Sequence, residues 1–250
     1  MEPMVMRKLA AAAVMVLGFF GAGTASAQTS YVVGVENIEY FPHYTYADGD
    51  YKGFARDLLD AFAKDKGYAF QYRALPVSRL MQEFVGQEID LKYPDNSYWS
   101  ADQRKGKDIV YSDPVVAYID GVSVKPENVG KGPDAVAKLG IVRGFTAWDW
   151  MDRISGGKVT LAENNSFSSL VQTSIAGRVD GAYGNVAVVK HQLEKQLKQP
   201  GALAYDPGLP HTESNYHLST IKHPKLIEEF NAWLKANADL MAKLKAEYGV

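Results

Sequence analysis

Residues 53–74 have the sequence GFARDLLDAFAKDKGYAFQYRA, and the pattern of this stretch indicates the fold class. The apolar residues of its first part recur at helical spacing, which predicts a helix from Gly53 to Lys66. Those residues are Phe54, Leu58, Leu59 and Phe62. Gly67 ends the predicted helix, and residues 70–74 alternate between apolar and polar as a strand does. A helix followed at once by a strand is the unit from which α/β folds are built.

Strands and helices continue to alternate on both sides of this stretch. Predicted strands cover residues 31–35, 89–91, 115–124, 139–142, 159–161, 179–183 and 202–205. Further predicted helices cover 76–85, 166–176, 186–197 and 224–248, the last with a break near residue 237. We expect helix caps at Ser166, at Ser100 with Gln103 three residues on, and at Thr146 with Asp149 three residues on. The whole pattern predicts an α/β fold with mostly parallel sheets.

Two connections divide the predicted fold into two lobes. The strand over 115–124 is long enough to leave one lobe and enter another, and the Gly- and Pro-rich stretch 126–133 marks a boundary after it. The strand over 202–205 returns the chain to the first lobe. Lobe 1 then comprises residues 28–122 and 212–250, and lobe 2 comprises residues 123–211. In such folds ligands bind at the carboxyl ends of strands, where loops and helix N-termini converge.

The first residues have the three parts of a secretory signal peptide. Arg7 and Lys8 are positive, residues 9–20 are apolar, and small residues end the segment at 25–27. The apolar run is shorter than the roughly 20 residues that a membrane-spanning helix needs. We therefore predict a cleaved signal peptide over 1–27 and export to the periplasm.

Composition limits the classes of function. The chain has no cysteine, so an exported form of 223 residues (250 less the predicted 27) depends on packing and cannot carry a lipid on an N-terminal cysteine. Cleavage removes two positive residues and one negative residue, which changes the net charge from −2 to −3. No basic run indicates binding to nucleic acid. The 15 tyrosines and 4 tryptophans favour a site that encloses a small ligand between aromatic side chains.

Five short patterns resemble those of one known family, the type II periplasmic solute-binding proteins for polar amino acids. In chain order they are YFPHY (40–44), GFARDL (53–58), GQEID (86–90), Arg104 followed by YSDP (111–114), and AGRVD (176–180). Each pattern is a weak signal alone, but five in the same order are a stronger one, and the resemblance covers nearly all of the chain after residue 27. The resemblance implies a two-lobed α/β fold of the periplasmic-binding-protein type II, with two crossings and a ligand cleft between the lobes.

The resemblance also implies which residues contact the ligand. Arg104 corresponds to the arginine that clamps the ligand carboxylate, a task suited to the planar guanidinium fork. Tyr40 corresponds to the aromatic residue that covers the ligand from lobe 1. Thr146 corresponds to a hydroxyl of lobe 2 beside free N–H groups at a helix N-terminus. The residues alone leave other roles open: a surface arginine beside Lys105 and Lys107, a packing tyrosine and a plain helix cap.

Asn185 departs from the family pattern. Amino-acid binders of this family usually have an acid at this place, which holds the ligand ammonium, whereas an amide supplies no opposing charge. A buried, unpaired ammonium is unfavourable. Either another acid reaches the cleft, for which Asp95 and Asp120 are candidates, or the ligand lacks that charge.

The segment KYPDNSYW (92–99) is a second departure. The family usually has small hydroxyl residues here, whereas this segment brings the acid Asp95 and aromatic residues, Trp99 among them, to the expected cleft. Arg79, in the first turn after Pro76, points toward the same cleft. It is either a second anion contact or a solvated helix arginine, and the pattern favours the second role.

The resemblance implies a function in solute capture. Such a protein binds a small, polar, carboxylate-bearing ligand of amino-acid type by hinge closure and delivers it to the membrane permease of an ATP-binding-cassette importer. We expect a monomer without cofactor, catalytic residues or metal, and the five histidines have no paired metal spacing. Two alternatives share the fold. One is a cyclohexadienyl or prephenate dehydratase, which needs a positioned acid and base, and the other is a sensory subunit that reports ligand without transport.

Overall fold

A mixed β-sheet forms the centre of the computed structural model, which describes Met1 and residues 28–250. The strands are β1 (Ser30–Glu36), β2 (Glu39–Tyr40), β3 (Tyr44–Ala47), β4 (Asp50–Lys52), β5 (Ala69–Leu75), β6 (Leu91–Asp95), β7 (Val110–Tyr111), β8 (Val116–Val124), β9 (Lys138–Val142), β10 (Thr160–Asn164), β11 (Gly181–Asn185), β12 (Ala204–Tyr205) and β13 (Thr212–Thr220). The helices are α1 (Phe54–Lys66), α2 (Val77–Val85), α3 (Ala101–Arg104), α4 (Met151–Ser155), α5 (Phe167–Ile175), α6 (Val186–His191), α7 (Pro224–Ala236) and α8 (Ala238–Tyr248). Apart from Met1, the predicted signal peptide lies outside the described residues.

The sheet has two halves that meet at β8 and β13. Its strand order is β10-β9-β11-β8-β13-β6-β1-β5, with β12 beside β8 and β7 beside β13. Within each half, neighbouring strands pair in parallel. β8 and β13 are antiparallel to each other and to their outer neighbours. These two strands of nine residues each therefore join the halves.

The helices predicted from apolar spacing are confirmed, and the one predicted over 186–197 is α6, continued by a π-helical turn at Gln192–Gln196. Before α1, Gly53 adopts a φ of 103°, and a Cβ there would lie 2.9 Å from the backbone of Tyr44, so glycine is required. Ser166 caps α5 as expected, since its hydroxyl accepts a hydrogen bond from Ser169 N–H. The C-terminal helix is interrupted at Asn237 and becomes α7 and α8.

Two predicted caps are wrong. Ser100 precedes the short helix α3, but it has a left-handed φ of 49° and its side chain makes no capping bond. A cap needs an extended residue whose side chain turns back to the first N–H groups. Thr146 lies one residue too early, because Ala147 precedes the 3₁₀ turn Trp148–Trp150 and no side chain caps that turn.

Several strands differ from the predicted pattern. The strand predicted at 89–91 instead runs from Leu91 to Asp95, and it contains a proline, which weakens the sequence signal of a strand. β2, β3 and β4 form a small antiparallel sheet that the sequence pattern did not predict. β13 was not predicted as a strand because most of TESNYHLST (212–220) is polar.

Buried apolar side chains hold both halves together. The largest cluster packs α1, α7 and α8 on the half that contains β1, and it continues to α5 and α6 of the other half. Full burial of a side chain such as Phe62 contributes roughly 1.5–3 kcal/mol. Tyr40 and Phe167 belong to opposite halves, and their ring centroids lie 5.2 Å apart. Packing therefore connects the halves in addition to the joining strands.

The carboxyl ends of strands from both halves converge. β1 ends at Glu36, β6 ends at Asp95 and β11 ends at Asn185. Residues 144–146 follow β9 at the same edge. Asp120 of β8 lies in register with Asn185 on one side and with Thr212 on the other. The strand ends and the centre of β8 thus surround one space between the halves.

Candidate functional site

A cleft lies where the strand ends meet, with about 730 Å³ of space between its walls, its open mouth included. From the half that contains β1 and β6, its lining residues are Glu36, Tyr40, Tyr44, Val77, Met81, Lys92, Trp99 and Ser100. From the other half and the joining strands, they are Asp120, Gly144, Phe145, Thr146, Trp148 and Tyr216. We refer to this space as the central cleft.

A second space, the outer cavity, adjoins the central cleft. The two spaces share Trp99, Asp120 and Trp148. The other residues of the outer cavity are Asn96, Tyr98, Tyr118, Asp149, Thr212 and Ser214. Tyr98 is 78% exposed and Trp148 is 51% exposed, so each half contributes one exposed aromatic ring to this cavity.

Aromatic rings form the walls of the central cleft. Tyr40 and Tyr216 are buried, and their hydroxyl oxygens lie 3.1 Å apart. The ring of Tyr216 stacks on Tyr118 with centroids 4.2 Å apart and has the Trp99 ring at 5.9 Å. Phe145, from the other half, stacks on Tyr40 at 6.0 Å. The faces of such rings carry partial negative charge, so they attract cations and also pack against apolar groups.

Arg104, Asp95 and Lys92 form a buried ion cluster beside the central cleft. Asp95 Oδ1 accepts from Arg104 Nη2 at 2.5 Å and from Lys92 Nζ at 2.9 Å. Asp95 Oδ2 accepts from Arg104 Nη1 at 3.1 Å and from Ser219 Oγ at 2.5 Å. Burial by itself would raise the pKa of Asp95, but the charges of Lys92 and Arg104 hold that pKa below its ordinary value. This carboxylate is therefore ionised and fully paired within the chain.

The donors of Arg104 and Lys92 are used differently. Arg104 also donates from Nε to the carbonyl of Trp99 and from Nη1 to the hydroxyl of Tyr111, and it does not line the cleft. Lys92 does line the cleft. Its ammonium has three N–H donors, of which one contacts Asp95 and one contacts the carbonyl of Pro94 at 2.6 Å. One donor of Lys92 therefore has no partner among the described residues.

Asp120 and Glu36 are acids with a different environment. Asp120 Oδ1 is buried and accepts no hydrogen bond from any described residue. Burial, with the charges of Glu36 and Asp149, raises the pKa of Asp120 to about 7. Burial also raises the pKa of Glu36, against the opposing effects of Lys92 and of the hydrogen bond that Tyr44 donates to Glu36 Oε2. Both carboxylates face the central cleft, and a cation there would favour their ionised forms.

The structure brings three of the predicted ligand contacts together in the central cleft. Tyr40 and Trp99 line it from one half, and Thr146 lines it from the other. Two further predicted contacts, Arg104 and Asp95, are bound to each other in the ion cluster, and neither lines the cleft. Lys92, which donates to Asp95, is the member of the cluster that does line it.

The remaining two predicted contacts lie outside the cleft lining. Asn185 is buried and caps α6, since its Oδ1 accepts from two N–H groups of the first turn at 3.0 and 3.2 Å. Its amide nitrogen lies 3.4 Å from the hydroxyl of Tyr216, which places it behind that ring. Arg79 is exposed on α2 and pairs with Glu83 at 2.8 Å.

Five chemically important lining residues were not predicted from the sequence to contact a ligand. They are Glu36, Lys92, Phe145, Trp148 and Tyr216. A signal existed for two of them, because Glu36 and Lys92 directly follow the predicted strands 31–35 and 89–91. The rule that ligands bind at carboxyl ends of strands could have identified both.

Residues 28–250 contain no group of three or more clustered His, Asp or Glu side chains that could hold a metal ion. No helix within the same residues has the length and apolar character needed to cross a membrane.

His43 is buried with both ring nitrogens unbonded, and burial lowers its pKa to about 4. That histidine is therefore neutral at physiological pH.

Comparison with solved structures gives clear matches. An ancestral arginine-binding protein bound to arginine matches 88% of this chain and 98% of its own, with a TM-score of 0.69 and 19% identity. The ligand-binding core of GluR0 in complex with L-glutamate matches 89% and 99%, with a TM-score of 0.72 and 14% identity. A histidine kinase sensor domain similar to periplasmic binding proteins matches 88% and 96%, with a TM-score of 0.69 and 16% identity.

These matches define the class of fold. The chain has the two-lobed α/β fold of type II periplasmic binding proteins, as the resemblance implied. Searches with the sequence itself find no matching family model and no matching curated protein. At identities of 14–19%, the structural matches establish the fold and leave the ligand to be inferred from the cleft.

Proposed function

We propose that this chain is a periplasmic solute-binding protein that captures a small, polar ligand of amino-acid type. It would deliver that ligand to the membrane permease of an ATP-binding-cassette importer. The observation that carries the proposal is the central cleft, where aromatic walls, a free cationic donor and an unpaired carboxylate meet between two halves of one sheet. Export depends on the signal peptide predicted over 1–27, and the protein acts as a monomer.

In this proposal the ligand carboxylate binds between Lys92 and Thr146. Lys92 offers its remaining N–H donor, and its ammonium lies 5.5 Å from the ring centroid of Trp99. A charge-assisted hydrogen bond in such a desolvated place is stronger than one in water. Thr146 adds a hydroxyl from the other half, while Tyr40 and Trp99 cover the ligand.

Arg104 and Asp95 serve this end of the site as positioning residues. Asp95 holds both the guanidinium and the Lys92 ammonium, so it fixes the direction of the free Lys92 donor. A ligand could reach the guanidinium fork only by displacing Asp95, which also accepts from Ser219. We therefore assign Arg104 an indirect role in place of the direct clamp that the resemblance implies.

Capture proceeds by closure of two lobes, residues 28–122 with 212–250 and residues 123–211. Support comes from β8 and β13, which join the halves while the parallel pairs remain within each half. Small changes in the backbone angles of two long strands can rotate such lobes and narrow the cleft between them.

A thermal-shift screen against amino acids, organic acids and amines tests the proposal. A ligand at 100 times its Kd adds about 2.7 kcal/mol of apparent stability. Thr146→Val should weaken binding of the solute found by about tenfold or more, because a hydrogen bond to a charged group is lost. Thr160→Val is the matched control, since Thr160 is exposed on β10 and outside the cleft. Absence of any stabilising solute would contradict the proposal.

Two further measurements separate the alternatives that share the fold. Turnover of arogenate or prephenate would identify a dehydratase, whereas binding without turnover supports capture. Loss of ligand uptake in cells that lack the protein supports import, and normal uptake with a lost transcriptional response would identify a sensor.

A further inference from the structure

We propose that the carboxylate of Asp120 binds a protonated amine of the ligand, so that the central cleft selects solutes that carry this group. The inference rests on the proposed function and names the residue that recognises one end of the solute. Asp120 lies in the middle of β8, a strand that joins the halves, and it lines both the central cleft and the outer cavity.

Structural carboxylates elsewhere in this chain are bonded by backbone N–H groups. Asp180 Oδ2 accepts from two of them at 2.9 and 2.7 Å, and Asp206 accepts from Gly130 and Gly208 at 2.8 and 2.9 Å. Asp120 Oδ1 is buried without any such partner. The neighbouring strands supply only Asn185 and Thr212 in register with Asp120, and neither side chain is charged. No hydrogen bond from the described chain therefore explains why Asp120 Oδ1 is buried.

The charges around the central cleft do not balance. The carboxylates are those of Glu36, Asp95 and Asp120, and the cations are Lys92 and Arg104. Asp95 takes both cations as hydrogen-bond donors, which leaves Asp120 without a counter-ion among the described residues. Isolated buried charge is unfavourable, so a ligand cation at this place would be strongly attracted.

The groups that face Asp120 favour a cation over other partners. The charged and titratable side chains close enough to influence it, or to be influenced by it, are Glu36, Asp149, Tyr40, Tyr118, Tyr183 and Tyr216. None of them carries a positive charge. Tyrosine rings stabilise an ammonium through their faces, and aromatic surroundings with one carboxylate form a suitable enclosure for it.

Asp120→Asn is the variant that tests the inference, with Asp108→Asn as the matched control because Asp108 is exposed and outside the cleft. The probes are the protein amino acids, the 2-hydroxy acids of the same side chains, the diamines putrescine and cadaverine, and the dicarboxylate succinate. Calorimetry at pH 8 measures their binding. We expect amine probes to lose affinity in Asp120→Asn by a factor on the order of 100, and hydroxy acids to bind both proteins equally weakly. Asp108→Asn should bind like the wild type.

The ligand-free protein provides a second readout. At pH 8 the melting temperature of Asp120→Asn should exceed that of the wild type, because the substitution removes an unpaired buried charge. A lower melting temperature would mean that Asp120 is structural and would overturn the inference. The inference would also be overturned if amine probes bound Asp120→Asn as tightly as the wild type, or if the wild type preferred succinate. In both of these cases the proposed function in solute capture would stand. If no probe binds the wild type, the proposed function fails and the inference fails with it.

Discussion

Removal of the Arg104 side chain should destabilise the ligand-free protein. Arg104→Ala takes away both guanidinium bonds to Asp95, a carboxylate with no exposed surface, and leaves it with Lys92, Ser219 and the Asn96 N–H as donors. Breaking a buried ion pair from one side costs about 3–5 kcal/mol. For a chain of this size each kcal/mol lowers the melting temperature by about 2–4 °C, so we expect a decrease of roughly 6–20 °C.

The control for this prediction is Arg79→Ala. Arg79 also pairs with one carboxylate, at 2.8 Å, but its side chain is 66% exposed. An exposed pair contributes at most about 1 kcal/mol, so the melting temperature should change by a few degrees or less. Arg104→Lys should fall between wild type and Arg104→Ala, because it keeps the charge and loses the fork.

Thermal unfolding of the ligand-free proteins, followed by circular dichroism, measures all three variants. A double variant with Asp95→Asn adds a further check, since two residues in direct contact should be coupled by about 0.5–3 kcal/mol. The reasoning is refuted if Arg104→Ala melts like the wild type and only ligand affinity falls. In that case the guanidinium would face the ligand, as the family resemblance implies.

Three other predictions follow from the same site. The pKa of Asp120 is about 7 in the folded protein and about 3.9 in an unfolded chain, so the folded protein binds this proton more tightly. The wild type should therefore lose up to about 4 kcal/mol of stability as the pH rises from 4 through 7. Denaturation at several pH values should show a flatter dependence of stability on pH for Asp120→Asn. Asn185→Ala should lower stability by about 1 kcal/mol through loss of the α6 cap, whereas Asn185→Ser, which keeps a capping oxygen without adding charge beside Asp120, should keep most of it, and equal urea midpoints for the two variants would count against the cap. A saturating ligand should reduce the radius of gyration in small-angle scattering as the lobes close, and an unchanged radius would exclude hinge closure.

Helices were predictable from the sequence because their signals are local. The apolar spacing of α1 and the serine cap of α5 depend on residues within a few positions of each other. The strands β2 to β4 and β13 depend on pairing with distant segments, and their polar or aromatic residues give no alternating pattern. Tertiary pairing overrides weak β-propensity in such segments.

The site was predictable only in part for a related reason. Tyr40 and Thr146 were located through their correspondence to family residues and Trp99 through the segment that departs from the family pattern, and all three line the cleft. Arg104 and Asp95 were both expected to contact a ligand, but a single sequence does not state that they bind each other. Which acid is paired and which is not depends on three-dimensional neighbours.

In the proposed site, the difference between the paired and unpaired acids would also orient the ligand. Asp95 is satisfied by the chain, and with Lys92 and Arg104 it leaves one net positive charge beside the central cleft, where the nearby Glu36 has a pKa raised by burial and therefore a weaker tendency to ionise. Asp120 adds a negative charge that the chain does not balance. A solute with its carboxylate toward Lys92 and its amine toward Asp120 satisfies both, whereas the reverse orientation brings like charges together. Like charges about 4 Å apart repel by roughly 4 kcal/mol at an effective dielectric constant of 20, which is enough to enforce a single orientation.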